Sequence, residues 1–172
     1  YIALILIIML IIFADPNKYS VAAGLILIWF GEFIRIYTIA DLFKSRRLHP
    51  NNPFKAYESG PFLYIRSPLY LGNLIIAVGL SFFISNLFLG ILITFMGFAH
   101  YFLLHFEDEQ KAEKEFGESF LNYKVNTPAF IPKKLPPKSE IFAERDYVSA
   151  IEKEYKTLGS IALILFLLLI LT

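Results

Sequence analysis

Three acidic residues stand directly after a long apolar block in the second half of the chain. Glu107, Asp108 and Glu109 follow the apolar residues 87–106 with no helix breaker between them. Carboxylates at a membrane surface are unusual without a role, because anionic lipid headgroups repel them. A charged helical face exposed to water is the alternative interpretation. The position of Asp108 and Glu109 makes them candidates for a binding site at the membrane surface.

A second group of polar residues precedes another apolar block. Pro68 suits the first turn of a helix, so Arg66 and Tyr70 are predicted at the mouth of that helix. A helix N-terminus offers free N–H groups and a positive dipole end, which suit a carboxylate or a phosphate. Gly72 permits the close approach of a ligand or of another helix. This pattern predicts a ligand-binding mouth.

Two histidines lie near the end of the block that precedes the acidic residues. His100 and His105 are candidates to face a site and accept a proton, because imidazole titrates near physiological pH. A histidine packed between helices is an equally good interpretation. No spacing of His, Asp and Glu indicates a metal site. The chain contains no cysteine, which excludes disulfides, thiolate catalysis and Cys-ligated zinc within it.

The elements that must position these residues are long apolar segments. The chain has 172 residues, of which 56% are hydrophobic. A bilayer core of about 30 Å requires roughly 20 helical residues to cross it. Residues 21–40, 68–83 and 87–106 reach or approach that length, and residues 1–14 and 158–172 are apolar but shorter. Together these segments predict a single all-α membrane domain over residues 1–172 with four to five transmembrane helices.

The organisation around the central segments is also predictable. Residues 1–40 are expected to form a helix hairpin, although 1–14 alone has a cleaved signal peptide as an alternative. Residues 41–59 are polar and predict an interfacial loop, and residues 139–172 predict an amphipathic helix followed by an apolar helix. Glu32 and Arg35, three residues apart, share one helical face. They predict either a ligand contact or a structural ion pair.

The distribution of basic residues predicts the orientation. Lysines and arginines concentrate in the stretches 44–66 and 111–138, whereas the other connections hold one lysine between them. The positive-inside rule places both basic stretches in the cytoplasm, so the site is predicted to face the cytoplasm in a multi-pass membrane protein. The net charge of +1 gives no indication of nucleic-acid binding. Membrane lipids are the expected surroundings.

Two segments together resemble the isoprenylcysteine carboxyl methyltransferase and phospholipid methyltransferase superfamily. GPFLYIRSPLYLGN at 60–73 is similar to the pattern G-P-Y-x-Y-x-R-H/N-P-x-Y-x-G. DEQKAEKEFGESFLNY at 108–123 is similar to E-E-x-x-L-x-x-x-F-G-x-x-Y-x-x-Y. TPAFIP at 127–132 is similar to the ending V-P-R-F-x-P, so the methyltransferase-like core spans 54–133.

The resemblance implies an integral membrane methyltransferase that uses S-adenosylmethionine. The acceptor would be a lipid-like or isoprenoid-type small molecule or peptide, methylated on a carboxylate or an amine. Asp108 and Glu109 match the acidic pair, so the resemblance implies that they help to hold the cofactor through its methionine ammonium. It also implies that Arg66, the arginine of the first motif, pairs with the cofactor carboxylate. The candidate catalytic residues are Arg66, Tyr70 and His105, and the further cofactor-binding candidates are Gly72, Tyr64, Asn73 and His100.

The sequence departs from the superfamily patterns at four positions. Ser67 stands where many members have histidine and others asparagine, so that position offers no imidazole. Ala129, Ala112 and Phe120 replace an arginine, a leucine and a tyrosine. These departures bear on the acceptor more than on the cofactor.

Two other classes of function compete with a methyltransferase. Membrane sterol-type reductases have a related helical core and bind NADPH, but their cofactor needs a larger basic pocket than this sequence indicates. A non-enzymatic membrane scaffold explains the apolar helices, but it gives no reason for both motifs at one membrane surface. The sequence leaves a monomer and a homodimer equally open.

Overall fold

The computed structural model describes residues 17–137 and 144–171 of the chain. Within these residues the protein forms five α-helices and no β-strand, which confirms the all-α prediction. Two short 3₁₀ turns, Pro53–Ala56 and Gly60–Leu63, connect the first helix to the second. The predicted apolar segment 1–14 lies outside the described residues. The helices are α1 Lys18–Leu48, α2 Pro68–Ile84, α3 Leu87–Phe116, α4 Glu118–Asn126 and α5 Tyr147–Leu171.

Helix α1 is longer than the sequence pattern predicts. Asn17 caps its first turn, since its side chain accepts hydrogen bonds from the backbone N–H groups of Tyr19 and Ser20, both at 3.1 Å. The interfacial loop predicted from residue 41 is wrong for 41–48, which continue the helix. The helix ends at Leu48, shortly before Pro50, because a proline disfavours helical backbone at the residue before it.

Helices α2 and α3 begin and end where local sequence signals predict. Pro68 occupies the first turn of α2. Ser85 ends that helix in the left-handed region, with φ 59°, and the Asn86 side chain caps α3 by accepting a hydrogen bond from the Leu89 N–H at 3.1 Å. Gly117, with φ 53°, ends α3 and allows the chain to turn into α4. These signals place the two polar motifs at the same end of the α2–α3 hairpin.

Glycines bring α1 and α2 into close contact. A Cβ atom at Gly31 would lie 2.6 Å from the carbonyl oxygen of Gly72, and one at Gly24 would lie 2.7 Å from that of Gly79. Only residues without a side chain allow two helix backbones to approach so closely, as at many helix contacts in membranes. The α1–α2 pair is the scaffold on which the start of α2 is held.

Helix α5 runs antiparallel to α1 along most of its length. Near one end, Ala150 is fully buried against Ile39 and Ala40. Near the other end, Ile164 and Leu165 join the apolar cluster that contains Val21 and Leu25 of α1. Between these contacts Glu154 pairs with Arg35 at 2.5 Å. The C-terminal helix is therefore an integral part of the bundle.

Two of the described helices are long and apolar enough to cross a membrane. They are α1 and α3, while α2 is apolar but shorter. Their outer faces carry large exposed apolar side chains such as Trp29, which is 70% exposed, and Phe95, which is 68% exposed. Extended exposed apolar surface of this kind fits a lipid environment. The number of four to five transmembrane helices stays a prediction.

Candidate active site

The polar motifs meet around a cavity of about 360 Å³ at the charged end of α3. The start of α2, the last turns of α1 and the aromatic residues of the connecting segments complete its wall. Five residues singled out in the sequence line this cavity together. They are Arg66, Tyr70, His105, Asp108 and Glu109.

Glu109 is a buried carboxylate with three nitrogen-bearing side chains around it. Arg66 Nε donates to Glu109 Oε1 at 2.6 Å, and Lys124 Nζ lies 2.9 Å from Oε2. His105 Nε2 lies 3.2 Å from Oε1. Hydrogen bonds to Glu113 and Glu109 raise the pKa of Lys124, so its ammonium stays charged. This network ties α3 to the start of α2 and to α4.

Arg66 links the segment after α4 to the start of α2 through hydrogen bonds. Its Nη1 donates to the carbonyl oxygens of Lys124 at 2.7 Å and Thr127 at 2.6 Å. The backbone N–H of Arg66 donates to the carbonyl oxygen of Pro128 at 2.8 Å, and that of Ser67 donates to Ala129 at 3.0 Å. The motif arginine thus holds the closing segment 127–132 against the site.

Ser67 and His105 form a buried hydroxyl–imidazole pair on the cavity wall. Ser67 Oγ and His105 Nδ1 are 2.6 Å apart, and the two residues are only 7% and 4% exposed. The other ring nitrogen of His105 faces Glu109, as described above. The imidazole beside the Ser67 hydroxyl is therefore supplied by α3. His105 thus lies on the cavity wall, and its catalytic role stays a prediction.

Asp108 differs from its neighbour in exposure. Its side chain is 56% exposed and accepts a hydrogen bond from the Tyr70 hydroxyl. Lys111 lies 3.4 Å away on the same helix, where an exposed pair contributes little to stability. Asp108 therefore keeps carboxylate surface at the cavity, whereas Glu109 is enclosed by its partners.

An aromatic cluster forms the opposite wall of the cavity. The Tyr57 ring makes edge contacts with Phe62, Phe116 and Phe120, with centroids 5.9, 5.8 and 5.4 Å apart. Tyr123 packs against Tyr57 and donates its hydroxyl hydrogen to the carbonyl oxygen of Phe62 at 2.7 Å. Burial raises the pKa of both tyrosines, so the phenols stay neutral. This part of the wall is aromatic and uncharged, and it suits contact with a planar ring of a ligand.

Four of the predicted cofactor-binding residues do not line this cavity. Gly72 lies in the contact with α1, and Asn73 accepts a hydrogen bond from Arg35. His100 is exposed and packs edge-on against the Tyr101 ring at 5.1 Å. Tyr64, the fourth residue, is half-buried at the end of a 3₁₀ turn.

Glu32 and Arg35 of α1 belong to a separate cluster. Arg35 lies 3.6 Å from Glu32 on the same helix and pairs with Glu154 of α5. None of the three residues lines the cavity. The structural ion pair, one of the two interpretations of Glu32 and Arg35, is the one that this geometry supports.

Sequence reasoning missed three contributors to the site. Lys124 reaches Glu109 only because α4 folds back after α3, and the aromatic wall depends on the path of the 3₁₀ turns. Arg46 lines the cavity because α1 continues beyond residue 40. Over the described ranges 17–137 and 144–171, no cluster of three or more His, Asp or Glu side chains has the arrangement of a metal site.

Comparison with known proteins identifies the family. The phospholipid methyltransferase family matches residues 19–119, which is more than half of the chain. No curated protein and no solved structure matches the chain. The matched region contains Arg66, Tyr70, Asp108 and Glu109 and ends just after α3. The resemblance predicted from the two motifs is confirmed, and the chain belongs to the phospholipid methyltransferase family.

Proposed function

We propose that the protein transfers a methyl group from S-adenosylmethionine to a lipid-like or isoprenoid-type acceptor that carries a carboxylate or an amine. The observation that carries this proposal is the cavity, in which residues of both motifs meet beside apolar helices. Membership in the phospholipid methyltransferase family supports the type of reaction and the membrane setting.

The cavity fits the chemical groups of S-adenosylmethionine. Its volume of about 360 Å³ lies within the range of typical small-molecule sites. The aromatic wall around Tyr57 suits an adenine ring, and both aromatic faces and carboxylates attract a cation. We assign Asp108 and Glu109 to the ammonium of the methionine moiety. Asp108 offers the exposed carboxylate, while Glu109 adds negative charge from within its network.

The protein's own contribution is orientation. When bound, S-adenosylmethionine supplies a methyl group that its sulfonium has already activated for displacement. The segment 127–132, held by Arg66, packs behind the site through Phe130, whose ring lies 5.0 Å from the His105 ring, and so helps to orient that wall. Tyr70 and the Ser67–His105 pair are the polar groups that face the cavity on the side of α2.

The acceptor decides whether a proton must be moved. A carboxylate reacts as the anion and needs no base, whereas an ammonium must first lose a proton. The Ser67–His105 pair offers a place for that proton, because the imidazole Nδ1 lies 2.6 Å from the hydroxyl oxygen. An acceptor with a long apolar chain would remain in the bilayer beside α3 while its polar end reaches the cavity.

Calorimetric titration of the detergent-purified full chain tests the proposal. We expect S-adenosylhomocysteine to bind saturably in the micromolar range, which corresponds to about −8 kcal/mol. NADPH serves as the control ligand and is expected not to bind, because this dinucleotide needs a larger basic pocket than a cavity of about 360 Å³ offers. Binding of NADPH alone would favour a reductase. A folded protein that binds neither ligand would contradict the proposed function.

A further inference from the structure

We propose that Arg46, in the last turn of α1 and outside both motif segments, binds the carboxylate of the amino-acid moiety of S-adenosylmethionine. This inference rests on the proposed function and assigns one contact within it. The motif resemblance gives that contact to Arg66 instead. Three observations on the two arginines support the reassignment.

The first observation is that Arg66 is already committed to protein groups. Its side chain is only 14% exposed, and its guanidinium donates to the Glu109 carboxylate and to two backbone carbonyl oxygens. Turning this guanidinium toward a ligand would leave a buried carboxylate and two carbonyl oxygens without their donor. Such unpaired buried groups are costly. Arg66 therefore holds the closing segment 127–132 in place and is not available to a ligand.

The second observation is the position of Arg46. It lines the same cavity and lies one helical turn after Leu42, which also lines it, so this face of α1 forms part of the wall. Arg46 is exposed, and its side chain makes no hydrogen bond or ion pair within the described part of the chain. A guanidinium at a cavity wall without a protein partner is suited to an anionic ligand group.

The third observation is the contrast with the neighbouring arginine. Arg47 does not line the cavity and pairs instead with Asp146, just before α5. Both arginines complement the negative end of the α1 dipole equally well. That general effect accounts for a basic residue here, but it does not account for the orientation of one side chain toward the cavity. Arg47 is thus a matched control for Arg46.

The charges on the cavity wall complement an amino-acid group. An amino acid presents an ammonium and a carboxylate close together, and the wall presents exposed carboxylates at Asp108 and Glu115 together with the cation of Arg46. A planar guanidinium can bind both oxygens of a carboxylate at once. S-adenosylmethionine therefore finds partners of opposite charge for both ends of its amino-acid moiety.

The test compares two ligands that differ only in the carboxylate. S-adenosylhomocysteine and S-adenosyl-3-thiopropylamine, which lacks that group, are titrated calorimetrically into the full chain and its variants. Arg46→Gln should weaken the binding of S-adenosylhomocysteine by about tenfold or more, because a charge-assisted hydrogen bond contributes on this scale. The binding of the amine ligand should be unchanged. Arg47→Gln should bind both ligands like the original protein.

Other outcomes separate the possible errors. If Arg46→Gln affects both ligands equally or neither, the assignment of the carboxylate to Arg46 is wrong. If a folded Arg66→Gln variant binds S-adenosylhomocysteine more weakly but binds the amine ligand unchanged, the contact with the carboxylate belongs to Arg66. If the original protein binds S-adenosylhomocysteine and Arg46→Gln binds it equally well, the proposed function survives and only this inference fails. Absence of binding by the original protein rejects both.

Discussion

Adjacent carboxylates of the site experience opposite environments. Glu109 is 6% exposed and is surrounded by Arg66, Lys124 and His105, whereas the Asp108 side chain is 56% exposed. A buried charge is tolerated only when its partners compensate for the loss of water. At the residue scale, Glu109 therefore contributes to stability as well as to the site, and Asp108 contributes mainly at the cavity surface.

This difference predicts unequal effects of two alanine substitutions. Glu109→Ala should lower the free energy of unfolding by about 3 kcal/mol, because it leaves buried cationic groups without their partner. Asp108→Ala should lower it by less than about 1 kcal/mol, as expected for an exposed charge. Thermal unfolding in detergent measures both, with the original protein as reference. Equal destabilisation by the two substitutions would contradict the structural role given to Glu109.

The sequence predicts the residues of the acidic pair but not their division of roles. The motif places Asp108 and Glu109 at the end of an apolar helix, and the structure brings both to the cavity. Which carboxylate is buried depends on the rotation of α3 and on Lys124, which lies 15 positions after Glu109 and returns through the turn at Gly117. A long-range contact of this kind leaves no local pattern in the sequence.

At the scale of helices, the α1–α2 contact limits what can change. A Cβ at Gly31 would meet the backbone of Gly72 at 2.6 Å, and backbone cannot move aside as a flexible side chain can. Gly31→Val should therefore separate the helices and lower the melting temperature or the yield of folded protein. Gly159→Ala is the control, because no atom lies within 4 Å of its Cβ position. Alanine there should stabilise α5 by up to about 1 kcal/mol.

A Gly31→Val protein that melts at the original temperature would show that the helices are not in close contact at this position.

Sequence reasoning about helix ends succeeds where the signal is local and fails where the partners of a residue are distant in the sequence. The local signal at Pro68 predicts the start of α2 correctly, because such signals act over a few residues. The polar end of α1 was predicted as a loop, since its buried Asp41 gains its partners only from Ser59 and Arg145, which are distant in the sequence.

At the scale of the whole molecule, the segment after residue 144 binds along α1 through charged groups. Lys44 Nζ donates to the carbonyl oxygen of Glu144 at 2.7 Å, and Arg145 Nε lies 3.3 Å from Asp41. Arg145 also donates to the Tyr37 hydroxyl at 2.7 Å. Asp41 in turn accepts a hydrogen bond from Ser59, so this segment supports the connection that carries the cavity wall. The C-terminal helix, which lies outside the family match, thus reaches the site indirectly.

The arrangement of the whole molecule in the bilayer gives the last prediction. Residues near Leu87 and near Lys114 lie at opposite ends of α3, and the basic residues concentrate at the Lys114 end. Charge asymmetry therefore predicts that Lys114 and the cavity lie on the cytoplasmic side. The chain has no cysteine, so single Leu87→Cys and Lys114→Cys variants provide unique labelling sites. In sealed cells a membrane-impermeant maleimide should label the cysteine at 87 directly and the one at 114 only after permeabilisation.

Labelling of both cysteines from outside would show that α3 does not cross the membrane. The reverse pattern would place the cavity on the opposite side, where cytosolic S-adenosylmethionine is not supplied.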